Sequence, residues 1–265
     1  MKNVKTACLI AALTGLYGCG GGGGGSSSLD LTSLQGVWDS SSLTGTDLGA
    51  NTKAVRSVMF KDGTAWVFLL DDLISPTTSP TPIGLVKASV AVSGQNFSGT
   101  GKHYFYTPGN ISWSTSSIEV QGNVPASQQL ALKFGAAATP TTLTTLAPVT
   151  RFNATAASAK ITGNWESDST NTNNGATTTY WNIDSAGTLS GYDTKGCDLT
   201  GQVLPRSEPI AVFNVNVTFT CGGTVSQYSG IALQNSTSTN ITFGLISPDQ
   251  RTGVVVVAKP AATPD

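Results

Sequence analysis

Apolar and polar residues alternate along most of this chain with a period of two, the spacing that turns every other side chain of a β-strand to the same face. In Ala211–Phe219 ("AVFNVNVTF"), Ala211, Phe213, Val215, Val217 and Phe219 share one face, and Asn214, Asn216 and Thr218 share the other. Gly, Asn, Asp and Ser clusters punctuate such runs, so the second half of the chain predicts strands near 161–166, 176–183, 187–193, 196–204, 210–220, 224–233, 239–246 and 252–258. No segment carries a convincing helical stripe. In "ASQQLALKFGAAA" (Ala126–Ala138) the middle reads as strand.

The pattern is stated twice. "LQGVWDS" (Leu34–Ser40) returns as "ITGNWES" (Ile161–Ser167), and "FKDGTAW" (Phe60–Trp66) as "DSAGTLS" (Asp184–Ser190). "GQNFSGTG" (Gly94–Gly101) returns as "GCDLTGQV" (Gly196–Val203), and the first copy holds over twenty more residues ahead of this third landmark. Matches in one order predict a duplication. The expected fold is all-β: two tandem antiparallel meander domains of about eight strands each, as small barrels or barrel-like sandwiches. Closure into a barrel removes the two exposed edges of such a meander. The G-x-W opening of each copy (Gly36-Val37-Trp38 and Gly163-Asn164-Trp165) resembles the first strand of lipocalin-type barrels, where the Trp plugs the floor. That resemblance implies an Arg stacked on each Trp, with Arg251 the candidate for Trp165 and Arg151 for Trp38. Trp66, Phe68, Phe213, Phe219 and Phe243 are expected to point inward and fill the barrels.

The N-terminus is of another kind. Lys2 and Lys5 precede an apolar run from Ala7 to Leu13, the pattern of a secretory signal too short to span a bilayer. Leu16-Tyr17-Gly18-Cys19 resembles a bacterial lipobox, although Tyr17 stands where a small or branched residue is usual. The resemblance implies cleavage after residue 18 and acylation of Cys19, and several acyl chains anchor a protein stably where one does not. Gly20–Gly25 and Ser26–Ser28 then form a leash of roughly 16 Å reach. Gly20 after the Cys resembles the pattern of lipoproteins sent to the outer membrane. The domain plan is therefore 1–18 signal peptide, 19–28 lipidated tether, 29–152 first β domain and 153–265 second. The expected location is the cell envelope, lipid-anchored in the outer membrane. The whole arrangement resembles a group of proteobacterial surface lipoproteins with a Cys-polyGly tether. Its further marks are the Asp62-Gly63 hairpin, Gly196-Cys197…Gly201, and Arg251-Thr252-Gly253 before an apolar strand.

Composition narrows the function. Removal of residues 1–18 takes the 14 basic residues to 12 against 15 acidic ones, a formal charge of −3, with no basic block of the sort nucleic acid requires. Charged residues make up 11% of the chain, so acids and bases are too sparse to suggest a catalytic cluster. Of four cysteines, Cys8 leaves with the signal and Cys19 carries lipid. Cys197 and Cys221 remain in an oxidising compartment and are read as a disulfide; a metal pair is the alternative, for which one His in the chain offers few further ligands. A bond across a hairpin fixes its register, with Leu199 opposite Phe219, Gly201 opposite Val217 and Val203 opposite Val215.

The candidate ligand-binding residues are His103, Tyr104 and Tyr106 in "GKHYFYTPG", and Asp71 and Asp72 at the head of a proline-bearing loop, residues 71–84. Alternation turns His103 inward with Phe97 and Phe105. The expectation is a non-catalytic binding module for a protein, glycan or small apolar molecule, with no cofactor, no metal and no nucleic acid. The bilayer is its first partner through Cys19, and a protein or glycan its second through the 71–84 loop. The alternative is a structural, envelope-maintenance lipoprotein.

Overall fold

A computed structural model describes residues 29–40, 52, 54–71, 82–106, 113–124, 129–135, 142–171, 175–234 and 240–262. The expected signal peptide, Cys19 and the expected tether lie outside the described residues. The chain forms two antiparallel eight-stranded sheets, each closed into a barrel. The first holds β1 (Gly36–Ser40), β2 (Ala54–Met59), β3 (Thr64–Leu70), β4 (Pro82–Ser93), β5 (Asn96–Tyr106), β6 (Trp113–Asn123), β7 (Leu130–Gly135) and β8 (Thr142–Pro148). The second holds β9 (Gly163–Asn171), β10 (Gly175–Ile183), β11 (Thr188–Asp193), β12 (Cys197–Pro205), β13 (Val212–Cys221), β14 (Thr224–Gln234), β15 (Ile241–Ile246) and β16 (Gly253–Pro260). Each strand pairs with the next, and closure comes from β8 on β1 (Trp38 opposite Pro148) and β16 on β9 (Trp165 opposite Pro260).

The strands of the second half begin within two residues of where alternation puts them, and two of the shifts have a visible cause. Residues 158–160 form a 3-10 turn, with Thr162 N–H bonded to the Ser158 carbonyl, so the strand begins at Gly163 rather than Ile161. Ala211 donates its N–H to the Phe152 carbonyl at 2.8 Å instead of to a sheet neighbour, so β13 begins at Val212. The Cys197–Cys221 disulfide is present, with Cα atoms 4.3 Å apart. The register of β12 on β13 is Leu199 opposite Phe219, Gly201 opposite Val217 and Val203 opposite Val215, as the alternation required.

Two of the three landmarks are equivalent in detail. Trp38 Nε1 donates to the Leu34 carbonyl at 3.0 Å and Trp165 Nε1 to the Ile161 carbonyl at 2.8 Å, so each indole is tied to the turn entering its own barrel. Gly36 and Gly163 sit at φ +147° and +141°, backbone that side-chain-bearing residues rarely adopt, which explains the Gly two places before each Trp. The hairpins at Gly63 and Gly187 join second strand to third, and their carbonyls accept from Val90 and Val203. The third landmark is corrected. Gly94 closes the turn between the fourth and fifth strands, whereas Gly196 closes that between the third and fourth, so β12 corresponds to β4 and not to β5. The two segments look alike because each does the same local job, a left-handed Gly (φ +63° and +83°) opening a strand after a tight turn. The extra residues of the first copy thus contain a strand as well as a loop.

Both lumens are filled. Trp38, Val55, Met59, Val67, Leu69, Val86, Phe97, Val120, Leu132 and Phe134 pack inside the first barrel. In the second, Trp181 stacks on Phe243 (5.0 Å between centroids, 11°) and donates Nε1 to Ser167 Oγ at 3.0 Å, with Phe219 edge-on at 6.2 Å. Trp66 and Phe68 are not part of this filling. They face outward, into a third buried cluster that joins the barrels side by side: Val37, Val58, Phe60, Trp66, Phe68, Leu70, Leu85 and Tyr104 against Ile210, Val212, Ile231, Leu233, Ile246 and Val255. Strands β2, β3 and β15 are accordingly buried on both faces, β3 except at its first residue. Gly244 of β15 is the close-approach point. A Cβ there would lie 2.8 Å from the Phe68 ring and 3.2 Å from Leu85.

Candidate functional site

Of the expected site residues whose side chains are described, His103 and Tyr104 take opposite faces of β5. His103 faces the first lumen opposite Val86, 7% exposed, its ring 5.0 Å from Phe105. Its Nε2 is buried with no hydrogen-bond partner among the described residues and lies 2.9 Å from the point where a Cβ on Gly84 would sit. Burial pushes the imidazole pKa down to about 4, so the ring is neutral at ordinary pH. Tyr104, one residue on, takes the opposite face and is spent between the barrels. Its ring packs on Gly253 and its hydroxyl donates to the Gln250 carbonyl at 3.3 Å. Tyr106 ends β5 opposite Trp113. Asp71 follows the last residue of β3, half-buried, while Asp72 and the rest of 72–81 lie outside the described residues. Residues 82–84 of the expected loop begin β4 instead.

The Arg expected on Trp165 is elsewhere. Arg251 is 84% exposed in the turn before β16, 3.8 Å from Asp249, and Arg151's side chain lies outside the described residues. The buried guanidinium is Arg56, 1% exposed, bonded to both oxygens of Asp39 at 2.7 Å and capped by the Phe152 ring at 5.4 Å. A fork-on-carboxylate pair of this geometry satisfies both charges where the connection between the barrels covers them.

Two clefts on the outer surface are formed by described residues. One, of about 390 Å³, lies where the barrels meet. Lys87 Nζ stands 5.1 Å over Trp66 there, and Arg206 lies 3.9 Å over Phe60. Arg206 is already engaged by Glu208 (2.8 and 3.0 Å) and Asn214 (2.8 Å), and it holds the Glu208 carboxyl below its usual range.

The other cleft, of about 420 Å³, lies over the outer face of β9, β10 and β11, walled by Ala261 and Ala262 beyond β16. Period-two alternation builds it. Trp165, Trp181 and Leu189 point into the lumen, so Asn164, Tyr180, Asn182, Ser190 and Tyr192 point out. Tyr180 and Tyr192 face one another across the ladder, centroids 5.1 Å apart and tilted by 34°, with Tyr192 56% exposed. Asn182 donates to Asn164 Oδ1 at 2.6 Å. Sequence reading passed over these residues, although "TTTYWNI" carried a signal: an aromatic at the polar phase of a strand whose other phase is plainly core. The arrangement offers an aromatic shelf, amides and hydroxyls, which can hold a ligand but supply no nucleophile–base pair. Among the described residues no three of His, Cys, Asp and Glu gather as a metal site requires. No protein-family model, curated protein or solved structure matches the chain.

Proposed function

We propose that this chain is an envelope lipoprotein, anchored through acylated Cys19, whose two-barrel body binds a ligand on its outer surface without transforming it. The observation that carries this reading is the preformed cleft on β9–β11, beside lumens already packed with the chain's own side chains. An eight-stranded barrel either fills its interior or holds one small ligand there, and filling moves recognition outward. The acids and bases also favour binding over chemistry. Asp39 is bound to Arg56, Glu208 to Arg206, and Glu166 and Asp168 to Lys259, while His103 is sealed within the lumen. The continuous apolar cluster between the barrels makes one rigid body for the Gly/Ser leash to carry.

The test is recovery of the full-length chain from envelopes of its native cell after feeding a palmitate analogue, with mass spectrometry of what accompanies it. A labelled chain carrying one molecule per copy, released chemically unchanged, is the expected result. An unlabelled soluble chain, or a chain that returns its bound molecule cleaved or modified, overturns the proposal.

A further inference from the structure

We infer that the cleft over β9, β10 and β11 is a binding site for a neutral carbohydrate, a pyranose unit of a glycan. This rests on the binding reading above and gives it a ligand class. A pyranose has two kinds of surface. One face presents polarised C–H groups that lie well on the electron-rich face of an aromatic ring, and the rim presents hydroxyls that each donate and accept. The cleft supplies both. Tyr192, 56% exposed, is the platform, and Tyr180, 5.1 Å away, braces it from one side.

Asn182 spends one amide hydrogen on Asn164 Oδ1. Among the described residues its second N–H and its own carbonyl oxygen stay open, as do the Asn164 amide hydrogens, and paired donors and acceptors of this kind match vicinal hydroxyls. Ser190, opposite Asn182 on β11, adds a hydroxyl on the side away from Asn164. The site is also stiff. The indoles beneath it are tied to the Ile161 carbonyl and Ser167 Oγ, and Ala261 N–H bonds the Asn164 carbonyl at 3.0 Å, so little is left to order on binding.

Charge selects the ligand. The residues lining the cleft carry no formal charge. Carboxylates flank the tyrosine row on both sides: Glu166 stands opposite Tyr180 and is matched, with Asp168, by Lys259 at 3.2 and 3.5 Å, and the exposed Asp198 stands opposite Tyr192 on β12. An anion finds no cation among the lining residues and carboxylates on both flanks, and no lining group carries a charge to hold a cation, which favours a neutral polar molecule. A volume of about 420 Å³ falls within the range of small-molecule sites.

Isothermal titration of the full-length chain, held in micelles of a zwitterionic detergent without a sugar headgroup, tests the assignment. The probes are cellotetraose, maltotetraose and chitotetraose, with a sulfated heparin tetrasaccharide as the anionic comparison. At least one neutral probe is expected to bind at millimolar concentration or below. Tyr192→Ala is expected to weaken it by about tenfold or more, Tyr192→Trp to keep it, and Lys87→Ala in the other cleft to leave it unchanged. Tyr192 is a surface residue, so the substitution spares the core. Silence of all three neutral probes, preference for the sulfated one, or binding lost with Lys87 rather than Tyr192 overturns the carbohydrate site. If the probes are silent but the chain still leaves the envelope with a bound molecule, the carbohydrate assignment fails and the broader binding reading stands.

Discussion

His103 makes the stability of this protein depend on pH between about 6.5 and 4. It is the one histidine of the chain, and burial lowers its pKa from 6.5 to about 4. A histidine depressed in the folded state is held neutral there and takes up its proton first when the chain unfolds. The folded state therefore keeps its full stability above pH 6.5 and loses it as the pH falls towards 4, since the unfolded chain binds the extra proton throughout that interval. Between about pH 7.5 and 4.5 the loss is on the order of 2–3 kcal/mol. The groups held low in the fold act elsewhere. Asp30, Asp184, Glu208 and Asp249 are stabilised as carboxylates, chiefly by bonds from Ser33, Thr188, Arg206 and Ser247. Their contributions are present above their unfolded values of 3.8 to 4.5 and fade only below them.

Urea unfolding followed at half-unit intervals over this range measures the effect directly. The expected result is a midpoint that falls smoothly from pH 7 to 4.5 at nearly constant m. His103→Leu is expected to flatten that profile. Its stability at pH 7.5 should match or exceed the wild type, because the change removes a buried nitrogen without a partner. A wild-type profile that is flat between pH 6.5 and 4.5, or a variant that keeps the slope, refutes the reasoning: His103 would then be solvated or paired in the folded chain.

Further outcomes follow from other parts of the fold. Cys197→Ser removes a cross-link spanning 24 residues and is expected to cost about 3–4 kcal/mol in the chain-entropy picture, seen as a fall of roughly 10 °C in melting temperature by calorimetry. Gly244→Val drives a side chain into Phe68 and Leu85; a loss of about 1–3 kcal/mol is expected, and a variant as stable as wild type in chemical denaturation would mean the barrels are not packed there. Cys19→Ser is expected to abolish labelling by a palmitate analogue and to leave the precursor uncleaved, read by in-gel fluorescence and a shift in apparent mass.

How much of this was legible in the sequence depends on which force sets each feature. Strand positions in the second half and the register of β12 on β13 follow from local alternation. One slip would put Val215, Val217 and Phe219 in water and part Cys197 from Cys221. The entry to each barrel was legible for a similar reason, because an indole that must be buried and hydrogen-bonded constrains its own turn. The likeness of "GQNFSGTG" to "GCDLTGQV" misled, since a Gly turn opening a strand reads the same wherever it falls in a meander. The tyrosine cleft was hidden by the same alternation that revealed the strands. Residues at the polar phase register as surface, and only the folded ladder brings Tyr180 beside Tyr192.

The packing of the two barrels was written in the sequence in a form that alternation alone cannot read. In "AWVFLL" (Ala65–Leu70) both phases of the strand are apolar, which means burial on both faces. One face belongs to the lumen, through Ala65, Val67 and Leu69; the other, through Trp66, Phe68 and Leu70, needs a second surface from elsewhere in the chain. That surface is the outer face of β13–β16, and Gly244 is the place where it gives up its own side chain to admit Phe68. A repeat whose outer face is apolar on one side only is matched by a partner notched to receive it, and the two barrels are packed together along one continuous buried cluster.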